Sequence, residues 1–303
     1  MYKHSLSAIP VWQGSTERGD EDYMRTRILN KMTAKEVEDY LARGGDTIFV
    51  AVGVIECHSA MPVEAEQILP ESFAVTMAEK ADGLALINLP YFFPGGTIVS
   101  HATVQVSVRE SIDYLMMISH SLVAQGFRKI FFVSGHGPAR LYIDPVCRDF
   151  FQETKVHVCH LNVMNLLRMV PNDYGPMTPS GLDFSVGAYE ILKRKDELPV
   201  DPDAPDPLPN SDSANNPTMF RLQKALRTVG AQTSMYYADP EHHVPCRAFR
   251  STAERDEVCA NAAAFIRACV DRIDFDEIKA ALEDYEIYVK ELSKKYPRIA
   301  GRY

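Results

Sequence analysis

Residues 47–58 read Thr-Ile-Phe-Val-Ala-Val-Gly-Val-Ile-Glu-Cys-His, an apolar run that ends in a carboxylate and an imidazole. The run is short and rich in β-branched residues, which predicts a buried strand. Side chains two apart in extended chain point the same way, so we expect Glu56 and His58 to converge beyond the strand end. Glu66 can return to that point if the chain turns around Pro62. Such side chains bind divalent transition metals; the alternative is a salt-bridged strand end with an incidental histidine.

Strand-like and helix-like segments alternate along the chain on both sides of this stretch. The alternation predicts βαβ units and an α/β fold with a mostly parallel central sheet. In such a sheet, ligands bind beyond the carboxyl ends of the strands. His136 follows one predicted strand just as Glu56 and His58 follow another, so all three are expected at one edge. Strands are predicted over residues 47–55, 84–89, 128–133 and 155–163, and helices over residues 70–80, 108–125 and 139–152.

Two helix starts carry a recognisable capping pattern. Thr33 is followed three residues later by Glu36, and Ser107 by Glu110, which is the spacing of a capping box. Gly126 is expected to end the second of these helices, because glycine readily adopts the left-handed conformation of a helix C-terminus.

Composition and charge restrict the class of protein. The chain has 303 residues, of which 46% are hydrophobic and 24% charged, with a net charge of -9. No Lys/Arg-rich block offsets that charge, which argues against a nucleic-acid partner. No apolar run approaches the roughly 18 residues of a membrane helix, and the N-terminus lacks a signal-peptide pattern. Six cysteines without CxxC spacing indicate reduced thiols. These features suit a soluble cytoplasmic enzyme.

Several reactive side chains have less specific surroundings. Cys57 should face away from Glu56 and His58 and pack as a small hydrophobe; a nucleophilic thiol is the alternative. His101 lies in an aromatic, glycine-rich loop that is expected to line a pocket, where it is a candidate general acid or substrate contact. A hydrogen-bonded loop histidine is the competing interpretation. His242 and His243 are placed at the pocket or at a subunit contact.

Three sequence regions are distinguished. Residues 1–31 are polar and aperiodic, with Trp12 the only tryptophan, and are interpreted as an N-terminal arm. Residues 32–274 form the α/β domain. Residues 275–303 form a C-terminal tail whose charged, amphipathic beginning predicts a helix.

The two motifs together resemble the creatininase (creatinine amidohydrolase) family. Its members carry Gly-Ser-Thr-Glu-Gln-His-Gly-Pro-His-Leu-Pro-Leu-Gly-Thr-Asp early and an Asn-Gly-His-Gly-Gly-Asn-like motif after a later strand. Here residues 53–66 read Gly-Val-Ile-Glu-Cys-His-Ser-Ala-Met-Pro-Val-Glu-Ala-Glu, one residue shorter, and residues 134–139 read Ser-Gly-His-Gly-Pro-Ala. Glu66 replaces the bridging aspartate of the family. The resemblance covers roughly residues 30–273.

The resemblance implies a three-layer α/β/α sandwich, commonly assembled as a homohexamer. It also implies one or two divalent ions at the carboxyl edge of the sheet, with zinc expected first and manganese or iron as alternatives. Carried across residue by residue, Glu56 and His136 would hold one ion, His58 the other, and Glu66 would bridge them.

The sequence departs from the creatinine-hydrolysing members of the family at two places. Pro138 stands where they carry a glutamate two residues after the later histidine, and Phe184-Ser185 replaces their catalytic Glu-His pair. The following helix keeps its carboxylate as Glu190, which is a candidate ligand or base. A first-turn residue favoured by the helix dipole is the alternative for Glu190.

The expected reaction is hydrolysis of a non-peptide amide C–N bond in a small, polar, cyclic substrate, with metal-activated water attacking a carbonyl. The alternative within the family is a C–C hydrolase that opens an oxidised (diketo) inositol such as 3-dehydro-scyllo-inosose, because the missing Glu-His pair would protonate a leaving nitrogen. A rival from another class is a non-catalytic member that binds a ligand or builds an assembly.

Overall fold

The computed structural model describes residues 24–99, 101–171, 174–175, 185–206, 216–237 and 246–299. Within these ranges, four strands form one sheet in the order β2-β1-β3-β4, and all neighbouring pairs are parallel. The mostly parallel α/β architecture predicted from the alternation is therefore confirmed. The strands are β1 Thr47–Ala51, β2 Leu84–Leu86, β3 Lys129–Ser134 and β4 Val158–Asn162.

Helices connect the strands and continue after the last one. Their order matches the predicted alternation as far as β4, and the long helices near the C-terminus follow the sheet. The described helices are α1 Ala34–Ala42, α2 Ala65–Lys80, α3 Val108–Gln125, α4 Arg140–Thr154, α5 Val163–Leu167, α6 Ser185–Ile191, α7 Pro217–Thr228, α8 Thr252–Asp271 and α9 Phe275–Lys295.

The predicted helix caps are present. The side chain of Thr33 accepts a hydrogen bond from the backbone of Glu36, and Ser107 does the same for Glu110; both are complete capping boxes. Gly126 ends α3 in the left-handed region with φ 115°. These ends follow from local sequence, since the groups that satisfy the free backbone donors lie within four residues.

Alternate side chains of the central strands enter two different cores, which makes the fold three-layered. Phe49 and Phe131 face α2, α6 and α8, and their rings stack with centroids 5.1 Å apart. Val50 and Phe132 face α3 and α4 instead. Both faces of β1 and β3 are covered by helices, which explains why these strands are apolar without interruption. Phe275, at the start of α9, packs edge-on against Phe49 with centroids 5.2 Å apart.

The start of α2 differs from the prediction. The sequence predicted a helix from Pro70, but α2 begins at Ala65 and contains Pro70 in its second turn. Proline lacks the N–H that would bond to the carbonyl of Glu66, so α2 has one backbone hydrogen bond fewer at this point. The helix nevertheless starts at Ala65, which places Glu66 in its first turn. Gly53 allows the helix to approach the end of β1, because a Cβ at Gly53 would lie 2.5 Å from the Cα of Gln67.

Several expectations concern residues outside the described ranges. These are the arm up to residue 23 with Trp12, the Phe184 position, and His242 and His243. In the part of the chain that the structure describes, no helix combines the length and apolar character needed to cross a bilayer.

Candidate metal centre

Two carboxylates and an imidazole converge beyond the end of β1. Glu56, His58 and Glu66 each offer a ligand atom, and these atoms all lie within 4.8 Å of one another. His58 Nε2 is 3.6 Å from Glu56 Oε1 and 3.4 Å from Glu66 Oε1. Glu56 and His58 are supplied by the extended segment after β1, and Glu66 by the first turn of α2. The structure thus brings together the three side chains that the sequence analysis singled out, and their role as metal ligands stays a prediction.

His136 joins this group from the end of β3. Its Nε2 atom lies 3.6 Å from Glu56 Oε1, the same oxygen that faces His58. The His136 ring is 4% exposed, and its Nδ1 atom has no hydrogen-bond partner among the described residues. Burial lowers the pKa of His136, but the carboxylates of Glu56 and then Glu66 outweigh this effect and raise it above the ordinary value. The imidazole therefore lies in a negative field that attracts a cation.

Thr97 fixes the other oxygen of Glu56. Its Oγ1 donates a hydrogen bond of 2.8 Å to Glu56 Oε2, and the Thr97 carbonyl accepts one of 2.9 Å from Thr103 Oγ1. The backbone N–H of Cys57 donates to the same Thr103 hydroxyl at 3.3 Å. Sequence analysis did not single out Thr97, although it follows the Gly-Gly pair of the loop expected to line a pocket. Such outer hydrogen bonds orient the ligands of a metal site.

The donor set fits a divalent transition metal. Glu56 and His58 are almost completely buried, and Glu66 Oε2 is a buried oxygen without a hydrogen-bond partner among the described residues. Buried carboxylates are costly unless a cation neutralises them. Two imidazoles with two carboxylates suit zinc, manganese or iron, whereas calcium and magnesium prefer oxygen ligands alone. Burial, charge and unpartnered atoms thus point to the same type of occupant.

Neither of the two residues predicted as catalytic belongs to the group of converging ligand atoms. His101 is exposed in the loop before α3. Glu190, in α6, has a half-buried side chain whose Oε2 lies 3.4 Å from Lys195 Nζ. Cys57 is a buried free thiol; its orientation away from Glu56 and His58 stays a prediction. The catalytic roles of His101 and Glu190 remain predictions.

A cavity of about 450 Å³ borders the loops that hold the cluster. Gly96 precedes Thr97, and Pro138 follows His136 by two positions. Gly95 has φ 85°, and a Cβ there would lie 2.9 Å from Pro138 Cγ, so the two loops touch at this point. The described lining carries no charged side chain and includes Phe93, Gly95, Gly96, Pro138, Leu141 and Tyr236.

A separate hydrogen-bonded series joins β3, β4 and α4. Ser134 Oγ lies 2.8 Å from His160 Nε2, and His160 Nδ1 lies 2.7 Å from Asp144 Oδ1. The residue types are those of a serine hydrolase triad. Here, however, the serine is buried within β3 and the aspartate is the exposed member of the series, which is the reverse of such a triad, whose aspartate is buried. The series instead ties the edge strand β4 to its neighbours.

Comparison with known proteins agrees with this geometry. Residues 30–188, more than half of the chain, match the family described as "Creatininase: Creatinine amidohydrolase". No curated protein matches the chain.

Solved structures with a similar fold include "Creatininase Mn", which is 16% identical, with a TM-score of 0.54 over 81% of this chain and 97% of that one. A putative creatinine amidohydrolase from Bacteroides fragilis is 17% identical, with a TM-score of 0.55 over 86% and 96%. A mutant creatininase of "Zn-Zn type" is 16% identical, with a TM-score of 0.52 over 81% and 97%. These likenesses establish the fold, and together with the family match they show that the chain belongs to the creatininase family, whose members are metal-dependent amidohydrolases.

Proposed function

We propose that this protein hydrolyses a non-peptide amide C–N bond in a small, uncharged, cyclic substrate with the help of a divalent metal. The observation that carries the proposal is the convergence of Glu56, His58 and Glu66 within 4.8 Å, with His136 3.6 Å from Glu56. All four side chains lie at the carboxyl edge of the sheet, where parallel α/β folds bind their ligands.

Each residue of the cluster has a role that follows from its position. Glu56 and His136 would hold one ion, His58 would hold a second, and Glu66 would bridge. When bound, such an ion polarises a carbonyl and lowers the pKa of water to near neutrality. Zinc is the first expectation, and manganese is also supported, because the descriptions of similar structures name both.

The chain itself supplies orientation, metal ligands and a site shielded from water. Thr97 holds the Glu56 carboxylate through a 2.8 Å hydrogen bond, which keeps its other oxygen directed at His58 and His136. Glu66 Oε2 is buried and has no hydrogen-bond partner among the described residues, so both oxygens of this carboxylate remain available for the bridging role. The described lining of the cavity beside Pro138 carries no charged side chain, which suits a neutral substrate body, because a charged group there would lose hydration without gaining a partner.

The replacement of the catalytic Glu-His pair by Phe184-Ser185 supports a second candidate, the C–C hydrolase acting on a diketo inositol. Neither of these residues is an acid that could protonate a leaving nitrogen, and Pro138, which lines the cavity, cannot donate a proton either. A carbon leaving group next to a second ketone departs as a stabilised carbanion and depends less on such an acid. The same cluster would activate the water in both reactions.

The test is a substrate screen with metal-loaded protein. Cyclic amides and keto-inositols would be offered to protein loaded with zinc or manganese, alongside the Glu56→Gln variant. The proposal expects at least one equivalent of bound metal and turnover by the wild type only. Absence of bound metal would favour the non-catalytic member of the family, which binds a ligand or builds an assembly. Activity that survives chelation but is lost on thiol alkylation would point to Cys57.

The location and assembly of the protein are further parts of the proposal. All six cysteines are free thiols, which supports a reducing compartment such as the cytoplasm. A homohexamer is proposed from the family resemblance, and light scattering of the purified protein would measure the number of subunits.

A further inference from the structure

Tyr142 is a buried tyrosine whose hydroxyl makes no hydrogen bond to the described residues. It lies in the first turn of α4, which begins four residues after His136. The side chain is 0% exposed, and its ring stacks on Phe92 with centroids 5.6 Å apart and an interplanar angle of 5°. The ring is therefore held rigidly, and the position of its hydroxyl is fixed.

The Tyr142 hydroxyl is a buried polar group without a hydrogen-bond partner among the described residues. Tyrosine hydroxyls normally find a partner when they are buried, because an unpartnered polar group in the interior is costly. Phenylalanine would fill the same space without this cost. The hydroxyl therefore requires an explanation that packing does not provide.

The carboxylates that act on Tyr142 belong to the candidate metal centre. Burial is the main reason why the pKa of Tyr142 is raised far above its ordinary value, and the carboxylates of Glu66 and Glu56 raise it further. The phenol accordingly stays protonated and can donate a hydrogen bond. Glu66 Oε2 is likewise buried and unpartnered. A buried acceptor and a buried donor, neither with a hydrogen-bond partner among the described residues, thus belong to side chains that interact electrostatically.

We propose that the hydroxyl of Tyr142 donates a hydrogen bond to an oxygen atom of the substrate or of a substrate analogue held at the Glu56–His58–Glu66 cluster. This inference rests on the proposed function and extends it to a residue outside the cluster. A neutral donor fixed in a water-excluded site stabilises negative charge that develops on a carbonyl oxygen, because it needs no reorganisation during the reaction. Tyr142 would therefore select substrates that place an oxygen at this point.

The test measures binding of acetohydroxamate to cobalt-loaded protein by calorimetry, with cobalt affinity determined first. The Tyr142→Phe variant removes a single oxygen atom. Tyr114→Phe is the matched control, because Tyr114 also packs on Phe92, with centroids 5.6 Å apart, but lies on α3. A hydrogen bond to a charged oxygen corresponds to roughly a tenfold or larger change in affinity.

The expected result is acetohydroxamate binding at least about tenfold weaker in Tyr142→Phe, with unchanged cobalt affinity and a melting temperature no lower than that of the wild type. Tyr114→Phe should match the wild type. Equal acetohydroxamate affinity in Tyr142→Phe, an equal loss in both variants, or a lower melting temperature of Tyr142→Phe would overturn the inference while leaving the metal site intact. Failure of the wild type to bind cobalt would instead overturn the proposed function.

Discussion

The Nε2 atom of His136 lies 3.6 Å from Oε1 of Glu56, and the two residues follow β3 and β1, which pair in parallel. Adjacent parallel strands bring their carboxyl ends to the same edge, so two distant motifs of the sequence meet there. We expect the His136→Gln variant to bind zinc at least about tenfold more weakly, as measured by competition with a chelating dye. His120→Gln is the control, since His120 is exposed on α3 and pairs with Glu153 at 3.5 Å. Equal zinc affinity in all three proteins would contradict a role for His136 as a ligand.

The hydrogen bond from Thr97 to Glu56 predicts an effect on metal affinity without loss of a ligand. The Thr97→Val variant keeps the shape of the side chain but removes the donor to Glu56 Oε2. Loss of such an orienting contact typically weakens metal binding about 10–100-fold. Thr228→Val removes an equivalent hydroxyl whose partner is the carbonyl of Lys224 on α7, and should bind zinc as the wild type does. A Thr97→Val protein with wild-type zinc affinity would show that the Glu56 carboxylate needs no support.

We expect close packing at Gly53 to determine the position of α2, which carries Glu66. A Cβ at Gly53 would lie 2.5 Å from Gln67 Cα and 3.0 Å from the carbonyl oxygen of Glu66. Gly53→Ala must therefore push α2 away from the end of β1. Overpacking of this type costs about 1–3 kcal/mol, which denaturant unfolding would measure. Gly137→Ala is the control, because a Cβ at Gly137 has no atom within 4 Å; equal stability of the two variants would refute the close approach.

We expect the free energy of unfolding to depend on pH through the buried carboxyl of Glu71. Burial raises the pKa of this carboxyl, although it accepts hydrogen bonds from Gln67 and from the backbone of Asn88. The folded protein therefore holds the Glu71 proton to a higher pH than the unfolded chain does. In the unfolded chain, Glu71 loses its proton near pH 4.3, about the usual pKa of a glutamate. Above that pH the folded protein still holds the proton that the unfolded chain has released. The contribution of Glu71 to stability therefore decreases as pH rises, until its folded pKa is passed.

The Glu71→Gln variant should remove this decrease. The free energy of unfolding of the variant relative to the wild type is expected to rise between pH 4.5 and pH 7, as followed by denaturant titration at several pH values. Glu79→Gln tests the specificity, because Glu79 is exposed on the same helix. A constant difference between Glu71→Gln and wild type over this pH range would argue against a raised pKa.

We expect the hydrogen bonds of the Ser134–His160–Asp144 series to contribute to stability, with the buried bond contributing more than the exposed one. His160→Gln breaks the hydrogen bond to the buried hydroxyl of Ser134, and an unsatisfied buried group costs about 1–3 kcal/mol. Asp144 is largely exposed, so Asp144→Asn should change the free energy of unfolding by less than about 1 kcal/mol. A larger effect of Asp144→Asn than of His160→Gln would mean that the series is anchored at its outer end.

Features of the fold that are determined by residues close in the chain could be predicted from the sequence. The strand before Glu56, the capping boxes at Thr33 and Ser107, and the helix end at Gly126 are decided within a few positions, and all are present. The meeting of His136 with Glu56 was predictable because parallel strands share an edge.

Other features depend on contacts that no local pattern contains. Pro70 suggested a helix start, yet α2 begins earlier because packing against Gly53 stabilises its first turn. Thr97 approaches Glu56 through a loop whose path is set by Thr103. Nothing in the local sequence distinguishes Tyr142 from other helix residues; its buried hydroxyl without a partner among the described residues is visible only in the structure.

The sheet order places β1 and β3 side by side in the middle, with β2 and β4 outside them. The residues that follow β1 and β3 are therefore supported by a neighbouring strand on each side, whereas β2 and β4 supply none of the four proposed ligands. Evolution or a protein engineer could therefore rebuild either margin of the sheet, for instance to join copies of the chain differently, while the ion-binding chemistry stays the same.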